Sequence, residues 1–324
     1  MRVLFFGTPH FACQSLQALI DAEHEIVGVV TRADKPVGRG RKLTPPPTKV
    51  LALENNLPVL QPKGVNRESV LDEFRALKPD VVVVVAFGAI LKRPLLDLAP
   101  MGAINVHGSL LPAYRGVAPV QWSLIHGERM AGVTTMIMDE GVDTGPSLLR
   151  YPVEVGPFET AGELLERLGQ LGGELLVKTL AGLESGEVTP TEQTEEGASY
   201  APKLLKPHGF LNLKLSAVQV FDQFRGVTPA PGARCFWQDV PVLVEAMRPV
   251  VDVTGAPYEV LEVGSRHLRL GTGDGAIDLL SVRPAGKKTM DAAAFARGRS
   301  ITAGQVFSQP PELPDLSPRI AVTP

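Results

Sequence analysis

Residues 81–87 read VVVVVAF, an unbroken apolar run with no polar residue on either side of the alternation. A strand that is apolar on both faces needs cover on both, which is the setting of a central strand in a parallel sheet layered by helices. Working outward, residues 2–6 (RVLFF), 25–31 (EIVGVVT) and 103–107 (AINVH) are further β-rich runs, while 11–21, 47–55 and 68–77 carry apolar residues at helical spacing. The alternation predicts an α/β, Rossmann-like parallel sheet covered by helices. The first turn, Gly7-Thr8-Pro9-His10-Phe11-Ala12, lacks G-x-G-x-x-G, so a dinucleotide is not the expected ligand.

The chain has 324 residues, enough for about two domains. Its net charge of −3 excludes a uniformly basic nucleic-acid binder, so any such contact must be local. Cys13 and Cys235 form no C-x-x-C pair and suit a reducing cytoplasm. The longest apolar run, Val81 to Leu91, is far shorter than the ~20 residues of a membrane span, so no membrane association is expected. Near Glu184 the texture turns acidic and proline-punctuated (ESGEVTPTEQTEEGASYAPKLLKP), as in a linker. An amphipathic stretch at 216–224 follows, and then short β-rich runs broken by turn signals, the pattern of a small OB-like β-barrel. The expected division is a catalytic domain 1–189, a linker 190–206, a β-barrel 207–308 and a proline-rich tail 309–324, either a strap or disordered.

Sheets of this kind bind ligands beyond the carboxyl ends of their strands. Asn105 and His107 end the run AINVH, and the period of two sends both side chains to one face. An amide donor beside an imidazole can hold and protonate an oxyanion without a metal; equally, Asn105 can cap a turn and His107 can be a satisfied core histidine. Asp143, in the turn DEGVDTG, is placed to fix the His107 tautomer and relay a proton, with Asp139 as a rival carboxylate and an Asx-turn as the purely structural role. Ser109-Leu110-Leu111-Pro112 is a proline-pinned loop able to offer backbone groups to a planar heterocycle. From Thr31 to Lys49 there are six basic residues, among them Arg39, Arg41 and Lys42, against Asp34 alone, a local charge of +5. That is a phosphate-binding signal, or else a solvated face. The six histidines show no metal-ligand spacing, and neither a P-loop nor Gly-x-Ser-x-Gly occurs.

Taken together, FFGTPHFA, DKPVGRGRKLTPPPTKVLA, INVHGSLLPAYRGVAPVQW, MDEGVDTG and PAGKKTM resemble the methionyl-tRNA formyltransferases, from the first strand to about Arg299. INVHGSLLP is shared by folate-dependent formyltransferases generally; the basic loop and PAGKK point to the tRNA-acting family. The resemblance implies formyl transfer from 10-formyltetrahydrofolate to the α-amino group of methionine on initiator tRNA, by a metal-free monomer. It implies catalytic roles for Asn105, His107 and Asp143, folate contacts from Ser109, Leu110, Leu111 and Pro112, and tRNA contacts from Arg39, Arg41 and Lys42. Asn212 and Leu213 stand where that family carries an acidic residue and a tryptophan. Two rivals differ in class: a formyltransferase for a small amine, which needs neither basic loop nor barrel, and a non-catalytic RNA-binding protein.

Overall fold

The computed structural model describes residues 1–37, 40–317 and 319–320. The chain opens with β1 (Arg2–Gly7), α1 (His10–Asp21), β2 (Glu25–Val30), a hairpin of β3 (Lys35–Val37) and β4 (Lys42–Thr44), α2 (Pro47–Glu54), β5 (Val59–Leu60), α3 (Glu68–Ala76) and β6 (Val81–Val85). It continues with α4 (Arg93–Leu96), β7 (Ala103–His107), β8 (Arg115–Gly116), α5 (Pro119–Ile125), β9 (Met130–Ile137), β10 (Ser147–Glu154), α6 (Ala161–Ser185) and β11 (Ser199–Ala201). The main sheet has seven strands in the order β10-β9-β7-β6-β1-β2-β5.

The valine run is buried on both faces, each under its own pair of helices. Val81, Val83 and Val85 pack with Phe5, Ile104 and Val106 against Leu16 and Leu19 of α1 and Leu176 and Leu180 of α6. Val82 and Val84 pack with Phe6 and Ala103 against Leu71 and Phe74 of α3 and Leu95 and Leu96 of α4. Each such burial stabilises the fold by roughly 1.5–3 kcal/mol. Helix α6 comes close to the sheet because Gly172 has no side chain: a Cβ there would lie 2.8 Å from Val106 Cγ1.

The all-parallel expectation needs one correction. β9 runs antiparallel to β7 and to β10. For the β9–β10 pair the reason lies in Asp139–Gly145, which joins the two strands as a short turn, closed by Ile137 N–H donating to Pro146 O at 2.9 Å. A turn that short cannot hold the crossover that parallel neighbours require.

The second half contains α7 (Ala217–Val227), β12 (Arg234–Trp237), β13 (Val240–Val250), β14 (Val260–Val263), β15 (Leu268–Gly271), β16 (Ala276–Pro284), β17 (Met290–Asp291) and α8 (Ala292–Arg297), with β18 (Arg319–Ile320) in the tail. Its antiparallel sheet runs β12-β13-β16-β15-β14. The sheet is curled, and the segment 304–308 touches both of its edges. Phe307 N–H donates to Tyr258 O at 2.9 Å beside β14, and Ser308 N–H donates to Phe236 O in β12 at 2.9 Å. Inside it, burial works against a charged Asp278, but hydrogen bonds from Arg269 and Arg248 and the nearby His267 outweigh that and hold the carboxyl below the usual range. The halves meet where Trp122 and Ile125 of α5 share a core with Val220, Phe221 and Phe224 of α7. Among the described residues no helix is long and apolar enough to cross a membrane.

The connecting segment does more than span the two halves. β11 pairs with β8 on one side and with β18 of the proline-rich tail on the other, forming a small sheet β18-β11-β8. Within the tail, the described pair Arg319–Ile320 is thus joined to the connecting segment.

Candidate active site

A cleft of about 970 Å³ opens at the carboxyl ends of β1, β6 and β7, where Pro9–Phe11, Ala86–Leu91 and Gly108 follow the strands. Its volume lies at the upper end of ordinary small-ligand sites. Asn105, His107 and Asp143 all line it. Ile104 and Val106 face the α1–α6 core, so the alternation of β7 turns Asn105 and His107 to the other face, beyond the last apolar cover from α4.

Asp143 stands between its two partners. Asn105 Nδ2 donates to Asp143 Oδ1 at 3.3 Å, and the backbone N–H of Gly116 in β8 donates to Oδ2 at 2.8 Å. His107 Nδ1 lies 3.6 Å from the same Oδ2, an ion-pair distance when the ring is protonated but too long for a hydrogen bond. Asp139, the rival carboxylate, also lines the cleft, but it accepts from Thr144 Oγ1 at 2.8 Å and from the Gly141 N–H at 3.1 Å. It holds the turn rather than the histidine.

The His107 tautomer is set by a carbonyl, where sequence reading assigned that task to Asp143. His107 Nε2 sits 2.9 Å from the carbonyl oxygen of Tyr114, which can only accept, so Nε2 carries hydrogen. Nδ1 is therefore the atom through which the ring exchanges protons with the site. Tyr114 is at φ +60°, a conformation that a bulky residue rarely takes unless its surroundings impose it. Its N–H donates to Ser199 Oγ at 2.8 Å and its hydroxyl to Glu128 Oε1 at 2.8 Å, so both ends of the residue are tied. Burial and the Glu128 bond push the phenol far above its usual range, and it stays protonated.

Ser109, Leu110, Leu111 and Pro112 do not line the cleft; Gly108 does. Ser109 Oγ donates to Ala113 O at 2.7 Å, while Thr134 Oγ1 of β9 donates to Ser109 O at 2.7 Å and accepts from the Leu111 N–H at 3.2 Å. These bonds fold the loop back onto the sheet and so deliver the Tyr114 carbonyl to His107.

The basic stretch carries the β3–β4 hairpin rather than the open loop its glycines suggest, with Lys35–Val37 paired antiparallel to Lys42–Thr44. Arg41 and Lys42 lie on its exposed return limb; Arg39 lies outside the described residues. Lys49 is committed elsewhere, with Nζ 2.9 Å from Asp34 Oδ1 and donating also to Gln61 at 2.9 Å. Hydrogen bonds from Gln61 and Lys49 hold the Asp34 carboxyl below the usual range.

Sequence reading missed Tyr114, Gly116 and Ala86–Leu91. The last group had a usable signal, since it directly follows the central strand at its carboxyl end. The first two act through backbone atoms, which side-chain patterns do not report.

A Formyl transferase family model matches residues 1–180, and a model of the Formyl transferase C-terminal domain matches residues 203–300. A methionyl-tRNA formyltransferase from Trichlorobacter lovleyi is 42% identical over 306 residues, 94% of this chain and 96% of that one. A second, from Desulfotalea psychrophila, is 44% identical over 308 residues, 95% of each chain. Among solved structures, an N-formyltransferase from Helicobacter canadensis in complex with folinic acid and dTDP-3-aminofucose matches with a TM-score of 0.66 at 19% identity, covering 86% of this chain and 98% of that one. That likeness is one of fold.

Proposed function

Because the chain belongs to the methionyl-tRNA formyltransferase family, we propose that Asn105, His107 and Asp143 form the site where it moves a formyl group from 10-formyltetrahydrofolate to the α-amino group of methionine on tRNA. The folate is a substrate here, consumed in each turnover. The observation that carries the assignment is the convergence of an amide, an imidazole and a carboxylate in one cleft at the ends of the strands.

The neutral amine attacks the formyl carbon, and the carbonyl electron pair moves onto oxygen. Asn105 Nδ2, which has one hydrogen beyond that offered to Asp143, donates to this oxyanion, as does Nδ1–H of the protonated His107 ring. Collapse expels the folate nitrogen with a proton, while the amine loses one, and the Asp143–His107 pair is the relay between them. No covalent enzyme intermediate is required. Ser109, Leu110, Leu111 and Pro112 serve the folate side through the backbone they fold rather than through side chains in the cleft. Arg39, Arg41 and Lys42 contact the tRNA backbone.

In this reading 1–189 is the catalytic domain, 190–206 the connection, and 207–308 an OB-like barrel that docks tRNA from a second side, with 309–324 as tail. The acceptor is the initiator species, and the enzyme works as a monomer in the cytoplasm. Replacing Arg41 and Lys42 by Ala is expected to weaken tRNA use and to make the slope of log K against log salt shallower by about 0.7–0.9 for each phosphate no longer neutralised. Filter binding across a salt series measures this. An unchanged slope, with turnover also unchanged after deletion of residues 38–42, would point to a small-amine acceptor instead.

A further inference from the structure

We propose that Gln193 is a positioning residue for formyl transfer, a clamp through which the connecting segment holds Asp143 in place. The inference rests on the reading of Asp143 as part of the reacting site. Gln193 Nε2 donates to the backbone carbonyls of Asp143 at 2.9 Å and of Gly145 at 2.7 Å. Its Oε1 accepts from Arg115 Nε at 3.1 Å. Arg115 is buried in β8, and the residue after it, Gly116, supplies the N–H that holds the Asp143 carboxylate. One side chain therefore joins the backbone of Asp143 to the strand that grips its carboxylate.

Asp143 needs such support because it sits at φ +55°, in the left-handed region that non-glycine residues rarely occupy. Among the described residues, Gln193 is the side chain that ties the Asp143 and Gly145 carbonyls in that orientation. An amide suits the position as no other side chain of its length does. Its two N–H groups meet two carbonyls while its oxygen meets a guanidinium. A glutamate would keep the guanidinium and set its own lone pairs against both carbonyls. A hydrocarbon would leave three polar groups unpaired. Gln193 is itself well placed to hold: just before it, Thr191 and Ser147 exchange two backbone hydrogen bonds of 2.8 Å, and just after it, β11 pairs with β8. The clamp thus has a footing on each side of the turn it restrains.

The test compares Gln193→Ala and Gln193→Glu in the otherwise intact enzyme, by steady-state formyl transfer to methionyl-tRNA and by thermal denaturation. Gln193→Ala is expected to lower kcat about 10- to 100-fold, with KM for folate and for tRNA within about twofold, since an ångström of misplacement acts on chemistry more than on binding. Gln193→Glu, which retains the Arg115 partner, is expected to lose at least as much in kcat. It also stands in should the alanine variant fail to fold. In an Asp143→Asn background, single-turnover rates should drop little further on adding Gln193→Ala, because the clamp acts through Asp143. A wild-type kcat in both Gln193 variants, or a full additional loss in the Asp143→Asn background, overturns the inference. An Asp143→Asn enzyme with undiminished turnover overturns the underlying reading instead, and the clamp with it.

Discussion

Asn105→Ala is expected to lower kcat by about 10²–10³-fold while leaving tRNA affinity unchanged, the loss typical of removing one preorganised oxyanion donor. The expectation follows from where the amide sits. Asn105 sits in the middle of β7, in register with Val84 on one side and Met136 on the other, so the sheet fixes its backbone and the cleft receives its side chain. Of its two Nδ2 hydrogens, one faces Asp143 Oδ1 at a weak 3.3 Å, which leaves a rigidly held donor for the developing charge. Truncation to alanine removes that donor and leaves β7 and its core contacts in place, so stability should change little. Asn105→Asp has the same shape without the donor and is expected to be as slow as the alanine variant. Pre-steady-state formyl transfer separates the chemical step from binding. Turnover within threefold of the parent enzyme in both variants would remove Asn105 from the oxyanion site.

Gly145→Ala should cost about 10²-fold in kcat through position alone, the penalty attached to roughly an ångström of misplacement. A Cβ at this residue would lie 2.0 Å from the carbonyl oxygen of Ile137, with Ile137 C and Asp139 N close behind. These are backbone atoms of a strand end and its turn, so no side chain can swing aside to make room. Ile137 is further tied by its N–H bond to Pro146, which closes the β9–β10 turn. What can yield is the turn itself, and the turn carries Asp143. The variant is therefore expected to keep its fold and both substrate affinities while the carboxylate drifts from His107 and from the Gly116 N–H. Equal kcat in Gly145→Ala and the parent enzyme would show that the geometry of this turn does not matter to the reaction. Serine in place of glycine should behave as alanine does, because the clash begins at Cβ.

Whether a residue's role is legible in the sequence depends on whether that role leaves a periodic trace. Val81–Val85 announces a doubly covered central strand because helices on both faces force an apolar residue at every position. Asn105 and His107 are legible as a pair because strand alternation places them on one face whatever surrounds them. Asp143 lies in a turn, where composition identifies the turn but not what its carboxylate meets; its neighbour Asp139 carries the same signal and braces Thr144. The antiparallel pairing of β10 with β9 follows from the shortness of Asp139–Gly145, information present in the sequence but overshadowed by the β-α alternation before it. Tyr114 and Gln193 leave no trace at all. Tyr114 works through a carbonyl that every residue possesses, and Gln193 lies in an acidic, aperiodic stretch whose partners are far away in the chain. Family resemblance supplies the names of folate and methionyl-tRNA, which residue chemistry alone does not specify.

The most direct measurement is transfer of labelled formyl from 10-formyltetrahydrofolate to initiator methionyl-tRNA, run beside elongator methionyl-tRNA and free methionine. The parent enzyme should label the initiator species with strong preference, and Asn105→Ala, His107→Ala and Asp143→Ala should each lose that labelling while retaining tRNA binding. Efficient labelling of free methionine, or undiminished labelling by the three variants, would contradict a tRNA-directed formyl transfer carried out by these residues in this cleft.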